Sequence, residues 1–140
     1  RLREETVAAL MRALNESARW QKEDAGGLLF LAKEYIKARF TAPLTLEEVS
    51  QQVGLSPYYF SKLFKEHTGM TFIEYVTKLR MERAMALMAT TDCTLKEVCF
   101  EVGYRDPNYF SRAFKKWTGQ TPSAYRKTHR RKGRGDGRSR

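Results

Sequence analysis

The chain has 140 residues, a length that suits one domain or two small lobes. Of these residues 41% are hydrophobic, and the formal net charge is +10. No apolar run approaches the roughly 20 residues of a membrane-spanning helix, and no signal-peptide pattern opens the chain. Cys93 and Cys99 form no C-x-x-C pair and there are only two histidines, so we predict no structural zinc and no cofactor. Reduced thiols fit a cytoplasmic protein, with Cys99 as a small, semi-buried residue.

Residues 1–27 begin with apolar positions at helical spacing, which predict a helix from Thr6 to Arg19. The Gly26-Gly27 pair is predicted to break the helix. Because the first residue is Arg and not Met, we expect a fragment whose N-terminal helix links to a missing upstream domain. A contact between two copies of the chain is the alternative interpretation of this helix.

Residues 28–40 form the next predicted helix, which should cap the unit that follows it. The turn at 41–44 contains Pro43 and ends this helix. The predicted apolar stripe consists of Leu28, Leu31, Ala32, Tyr35, Ile36 and Phe40.

Residues 45–69 predict two short helices separated by a tight turn. Thr45 with Glu48 three residues later is the pattern of a capping box, and Gly54 marks the end of the first helix. Ser56-Pro57 starts the second helix and Gly69 ends it. Its buried stripe is predicted to be Phe60, Leu63 and Phe64.

A long helix is predicted from Phe72 to about Met88, opened by a further capping box at Thr71 and Glu74. Its apolar residues lie on more than one side, which suits a helix that contacts a unit before it and a unit after it. At 1.5 Å per residue it is on the order of 25 Å long.

The second unit repeats the first at an offset of 49 to 50 residues. Thr94 and Glu97 repeat the capping box, Gly103 the helix end, and Asp106-Pro107 the next helix start. One extra residue is inserted between Gly103 and Pro107. The predicted buried stripe is Phe110, Ala113 and Phe114, and a last helix starts at Thr121-Pro122 and ends near Lys127.

A short helix, a turn with glycine and a second helix is the helix-turn-helix pattern. In both copies the outward positions of the second helix carry residue types that read base edges in a major groove. Six aromatic residues of these helices are predicted to be core residues: Tyr59, Phe60, Phe64, Tyr109, Phe110 and Phe114. The outward residues are Tyr58, Ser61 and Lys62 in the first copy and Asn108, Ser111 and Arg112 in the second.

The run from Pro107 to Arg126, P-x-Y-F-S-R-x-F-K-x-x-T-G-x-T-P-x-x-Y-R, resembles the signature of the AraC-type family of bacterial transcription regulators. The resemblance covers roughly residues 28–128. It implies an all-α fold of two helix-turn-helix subdomains joined by a long connector helix, a homeodomain-like tandem preceded by an N-terminal linker helix. The units are expected at about 28–70 and 89–127, with the connector at about 72–88, and they should enter successive major grooves.

By this resemblance the six outward residues fall at base-reading positions. The serines Ser61 and Ser111 are short, so discrimination should rest on the longer side chains of the two helices. Contact with the DNA backbone is assigned to Thr45, Lys65, Thr94, Arg105, Lys115, Lys116 and Arg126.

The sequence therefore predicts a DNA-binding regulator, an activator by resemblance, with double-stranded DNA and RNA polymerase as partners and a homodimer as an option. It predicts no enzyme, because no nucleophile is paired with a base and no phosphate-cradling loop is present. Residues 128–140 contain no apolar side chain, and we expect a disordered basic tail. The alternatives are a non-specific nucleic-acid binder driven by this tail and a helical protein-interaction module.

Overall fold

The computed structural model describes residues 25–129, and all regular elements in that range are helices. They are α1 (Ala25–Arg39), α2 (Leu46–Gln52), α3 (Pro57–Thr68), α4 (Phe72–Thr90), α5 (Leu95–Glu101) and α6 (Pro107–Thr118), followed by a helical segment at 122–129. The predicted helix at 6–19 lies outside the described residues. Among the described residues, no helix combines the length and the apolar character needed to cross a membrane.

The described chain divides into two compact units, one of residues 25–35 and 45–72 and the other of residues 36–44 and 73–129. In the first unit α2 packs on α3. The rings of Phe60 and Phe64 lie 5.4 Å apart in its core, and Val49 and Leu63 are buried in the same unit. The predicted stripe of α3 is confirmed, because Phe60, Leu63 and Phe64 are its buried residues.

The second unit has a core built from α4, α5 and α6. Phe110 and Phe114 are fully buried, and their rings lie 5.8 Å apart. Ala113 is only half-buried. The other buried members of this core are Met81, Ala84, Leu87, Met88, Val98, Cys99 and Val102. The apolar pattern of α4 predicts that this helix contacts both units, and this stays a prediction.

The predicted break at Gly26-Gly27 is wrong, because α1 begins at Ala25 and runs through both glycines. Glycine costs a helix about 1 kcal/mol relative to alanine. Buried Ala25 and Leu29 flank the pair at a spacing of four, and burial of one leucine side chain contributes about 1.5–3 kcal/mol. Burial on this face is therefore large enough to offset the cost of the glycines.

The predicted stripe of α1 is rotated relative to the observed one. The buried residues are Ala25, Leu29, Ala32 and Ile36, whereas Leu28 is half-buried and Leu31 is 56% exposed. At 100° per residue, Leu31 lies roughly 120° from the centre of the buried stripe. Ala32 and Ile36 are buried as predicted, but the prediction is wrong for Leu31, because it started the helix at residue 28 and did not include Ala25 and Leu29.

The last helix is longer than predicted, since helical structure extends to residue 129. His129 Nδ1 donates a hydrogen bond of 3.0 Å to Tyr125 O, and the rings of these two residues are stacked 3.8 Å apart. The remainder of the predicted tail, residues 130–140, lies outside the described residues.

Candidate nucleic-acid interface

The first turn of α3 is fixed by the residues that precede it. Gly54 has a φ of 76°, which lets the chain reverse after α2. Ser56 Oγ then accepts a hydrogen bond from Tyr59 N at 3.2 Å, and Pro57 occupies the first turn. Both features were predicted, and they hold the side chains that follow on a defined helical backbone.

The outer face of α3 carries four residues at spacings of three and four. Tyr58 is 78% exposed, Lys62 and Lys65 are exposed, and Ser61 is half-buried. This places the three predicted base-reading residues of the first unit on one side of the helix. Lys65 follows them on the same side, one turn further from the N-terminus.

The first turn of α6 is held by the corresponding motif of the second unit. Asp106 Oδ1 accepts a hydrogen bond from Asn108 N at 2.9 Å, and Pro107 is in the first turn. Upstream, Thr94 and Glu97 form the complete capping box at the start of α5, with hydrogen bonds of 3.0 and 2.8 Å. In the first unit, Thr45 Oγ caps α2, and the Glu48 carboxylate accepts a 2.6 Å hydrogen bond from the Tyr35 hydroxyl.

The outer face of α6 repeats that of α3 position by position. Asn108, Ser111, Arg112 and Lys115 are all exposed, and they stand 50 residues after Tyr58, Ser61, Lys62 and Lys65. Each set of four contains two cations and no carboxylate. Asn and Arg present paired hydrogen-bonding groups that match adenine and guanine edges respectively.

Six of the seven residues predicted to contact the DNA backbone are exposed at the surface. Lys65, Lys115, Lys116 and Arg105 are exposed. Thr94 is exposed as well, although its hydroxyl caps α5. Thr45 is likewise an exposed cap, on α2. Backbone contact by these residues stays a prediction.

Arg126 is the exception among these residues, because its side chain already has protein partners. It is half-buried, and its Nε and Nη2 atoms donate hydrogen bonds of 3.2 Å to Met88 O and Thr91 O. The guanidinium thus satisfies carbonyl groups at the C-terminal end of α4, where cations are favoured. This role depends on residues 35 and 38 positions earlier in the chain, and the sequence pattern had not indicated it.

Tyr109 was predicted to be a core residue, and that prediction is wrong, because the side chain is 53% exposed. It lies in the first turn of α6, next to Asn108, with its ring 5.8 Å from that of Tyr104. Its counterpart Tyr59 is half-buried. Position 109 sits at the margin between the buried and exposed faces, which periodicity alone does not resolve.

Cys99 is fully buried in the second core and not semi-buried as predicted. Burial raises the pKa of its thiol, and the negative charge of Asp106 raises this pKa further. The thiol is therefore protonated and packs as a small apolar side chain.

Comparison with known proteins places this arrangement in a family. A family model described as a helix-turn-helix domain matches residues 49–128, which is more than half of the chain. The chain belongs to the AraC family of transcription regulators. The family and the all-α, two-unit fold predicted from the sequence are thereby confirmed.

Relatives of the AraC-family chain agree with this assignment. The HTH-type transcriptional activator Btr of Bacillus subtilis is 37% identical over 126 residues, covering 90% of this chain and 24% of Btr. The solved C-terminal domain of AraT, a response regulator of Geobacillus stearothermophilus, is 40% identical with a TM-score of 0.70, covering 72% and 84% of the two chains. This chain spans only 24 to 34% of the length of the first curated relatives.

A more distant solved structure shows the same fold. The DNA-binding domain of AdpA, solved in complex with a target DNA, has a TM-score of 0.70 at 23% identity and covers 74% of this chain and 94% of its own. At this level of identity the likeness concerns the fold alone.

Proposed function

We propose that this chain is the DNA-binding part of a sequence-specific transcription regulator in which α3 and α6 read two successive major-groove segments of double-stranded DNA. The observation that carries the proposal is the repeated outer face, on which polar and cationic side chains, all exposed except the half-buried Ser61, occupy the same positions of two capped helices. A cationic face attracts phosphates, and fixed polar side chains beside it can discriminate between bases.

The chemistry of the two faces suggests how the reading is divided. Arg112 can donate two hydrogen bonds to guanine, and Asn108 can pair with adenine. In the first unit, Lys62 and Tyr58 are the side chains long enough to reach base edges. The serines can bond to several bases and contribute little discrimination.

Arg112→Ala is expected to lower affinity for the preferred duplex and to relax preference at one or two base pairs, by about 1–3 kcal/mol. The physical reason is the loss of a paired donor that only guanine satisfies well. The measurement is competition binding between duplexes that differ at single positions, taken from those the wild-type chain retains from a random pool.

The matched control for this variant is Arg83→Ala, which removes the same exposed side chain from α4. It should leave the order of preference among duplexes unchanged. If Arg112→Ala weakened binding equally to every duplex, Arg112 would be a phosphate contact and its base-reading assignment would be wrong.

Lys115→Ala is expected to weaken binding uniformly across sequences. It should also reduce the slope of log affinity against log salt by about one, because one fewer counterion is released. Titrations of affinity against salt on a preferred and a scrambled duplex measure this slope. The control is Lys33→Ala on α1, and an unchanged slope for Lys115→Ala would remove its role as a backbone contact.

The output that best fits the family is activation in the bacterial cytoplasm, with RNA polymerase as the protein partner. The relative Btr of Bacillus subtilis is a transcriptional activator by name, which supports this direction. We also propose that two copies of the chain form a homodimer through the N-terminal region or an upstream domain. Transcription in vitro with purified polymerase distinguishes activation from repression, and chain mass in solution tests the pairing.

A further inference from the structure

Arg80 on α4 holds the chain that follows the end of α1. Its Nε donates a hydrogen bond of 2.7 Å to Phe40 O, and its Nη2 donates one of 3.2 Å to Ala42 O. Both carbonyls lie just beyond Arg39, the last residue of α1. Phe40, Ala42 and Arg80 all belong to the second unit.

The same guanidinium lies against the turn between α5 and α6. Its Cζ is 5.2 Å from the centre of the Tyr104 ring, within the range of a cation–π contact. A Cβ added to Gly103, which has a φ of 108°, would lie 3.0 Å from both Cζ and Nε of Arg80. A side chain at position 103 would therefore crowd the Arg80 guanidinium.

Tyr104 extends this contact to the first turn of α6. Its ring lies 5.8 Å from that of Tyr109 and 5.5 Å from that of Phe110. Burial raises the pKa of the Tyr104 hydroxyl, whereas Arg80 and Thr77 on α4 lie near enough to lower it. The Tyr104 side chain thus bridges α4 and the start of α6.

This bridge coincides with the one-residue insertion that distinguishes the second unit from the first. The position after the turn glycine is Leu55 in the first unit and Tyr104 in the second. Leu55 is buried, whereas Tyr104 is half-buried and its ring lies against the Arg80 guanidinium. The two turns are therefore built differently, although the outer faces of α3 and α6 match.

We propose that Arg80 and Tyr104 position the first turn of α6, and with it Asn108 and Arg112, for base reading by the second unit. The proposal rests on the proposed function. Arg80 lies over the Tyr104 ring, and Tyr104 packs on Tyr109, the neighbour of Asn108, and on Phe110, two residues before Arg112. Because a side chain that reads bases must be held to within about 0.5 Å and 10–20°, loosening this support reduces discrimination even when the unit stays folded.

The test compares the full chain with Arg80→Gln, with Tyr104→Leu, which installs the residue of the first unit, and with the control Arg83→Gln. Amide hydrogen exchange without DNA is measured for the segment 105–112 and, as a reference, for the middle of α6 around the buried Phe114. Competition binding is then measured with duplexes changed in only one half-site. Thermal unfolding establishes that each variant is folded at the assay temperature.

We expect both variants to exchange several-fold faster at 105–112, with little change around Phe114. We also expect roughly a five- to tenfold loss of discrimination in the second half-site, with discrimination in the first half-site retained. Arg83→Gln should resemble the wild type in both measurements. Tyr104→Leu provides the test if Arg80→Gln does not fold.

Each contrary outcome has a distinct meaning. Unchanged exchange at 105–112 would overturn the positioning role whatever the chain binds. Faster exchange with equal loss of discrimination in both half-sites would also overturn it, since the pair would then only stabilise the unit. If the variants exchanged faster at 105–112 but the wild-type chain preferred no DNA sequence, the bridge would be supported and the proposed function contradicted.

Discussion

Phe114→Ala is expected to lower the free energy of unfolding of the second unit by about 3–5 kcal/mol. Phe114 is fully buried, its ring lies 5.8 Å from that of Phe110, and it meets the Tyr125 ring edge-on at 5.6 Å. Truncation removes the buried ring and leaves a cavity that α4, α5 and α6 cannot close without moving. Because a small domain has only about 5–15 kcal/mol of stability, the loss is a large fraction of the total.

The measurement is urea unfolding followed by the fluorescence of Trp117, in a Trp20→Phe background so that one tryptophan reports on the second unit. Phe100→Ala is the matched control, since Phe100 is on α5 and is 48% exposed. It should cost at most about 1 kcal/mol, because about half of its surface is in water. Equal losses for the two variants would contradict the packing described for this core.

Gly103→Ala is expected to destabilise the chain by about 2–4 kcal/mol, combining backbone strain with overpacking. The residue has a φ of 108°, and the added Cβ would lie 3.0 Å from the Arg80 guanidinium and from Thr41 O. The side chain of Arg80 can shift, but a backbone oxygen in a turn has little room to do so. The variant also disturbs the support of Tyr104.

Gly54→Ala separates the cost of backbone strain from the cost of overpacking. Gly54 has a φ of 76° and no atom within 4 Å of the added Cβ, so it should cost only the left-handed strain of about 1–2 kcal/mol. The slowest-exchanging amides of α3 and α6 report the stability of the two units. If Gly103→Ala cost no more than Gly54→Ala, the close approach of Arg80 and Thr41 would have no energetic consequence.

The features that were predicted correctly are those whose causes are local in sequence. The start of α3 follows from Ser56-Pro57, and its end follows from Gly69, which adopts a φ of 78°. The exposed face of α6 follows from its spacing of three and four. Helix caps and the spacing of buried residues depend on positions within one or two turns, so the sequence alone is sufficient to predict them.

The features that were missed depend on tertiary partners or on helix phase. Arg126 and Arg80 each donate to carbonyls 35 to 40 residues away, and no spacing rule connects such positions. The phase of α1 was wrong because burial of Ala25 and Leu29 carries the helix through two glycines. Tyr109 lies between two faces, so only the packed structure shows that its ring is half in water.

Paired reading of DNA by two helices of this chain is tested most directly by selecting the full chain against a random duplex library at near-physiological salt and sequencing the retained DNA. We expect a motif of two half-sites about 10 base pairs apart, one for each helix. Retention of DNA without any enriched sequence, as a binder driven by its basic tail would give, would contradict paired reading.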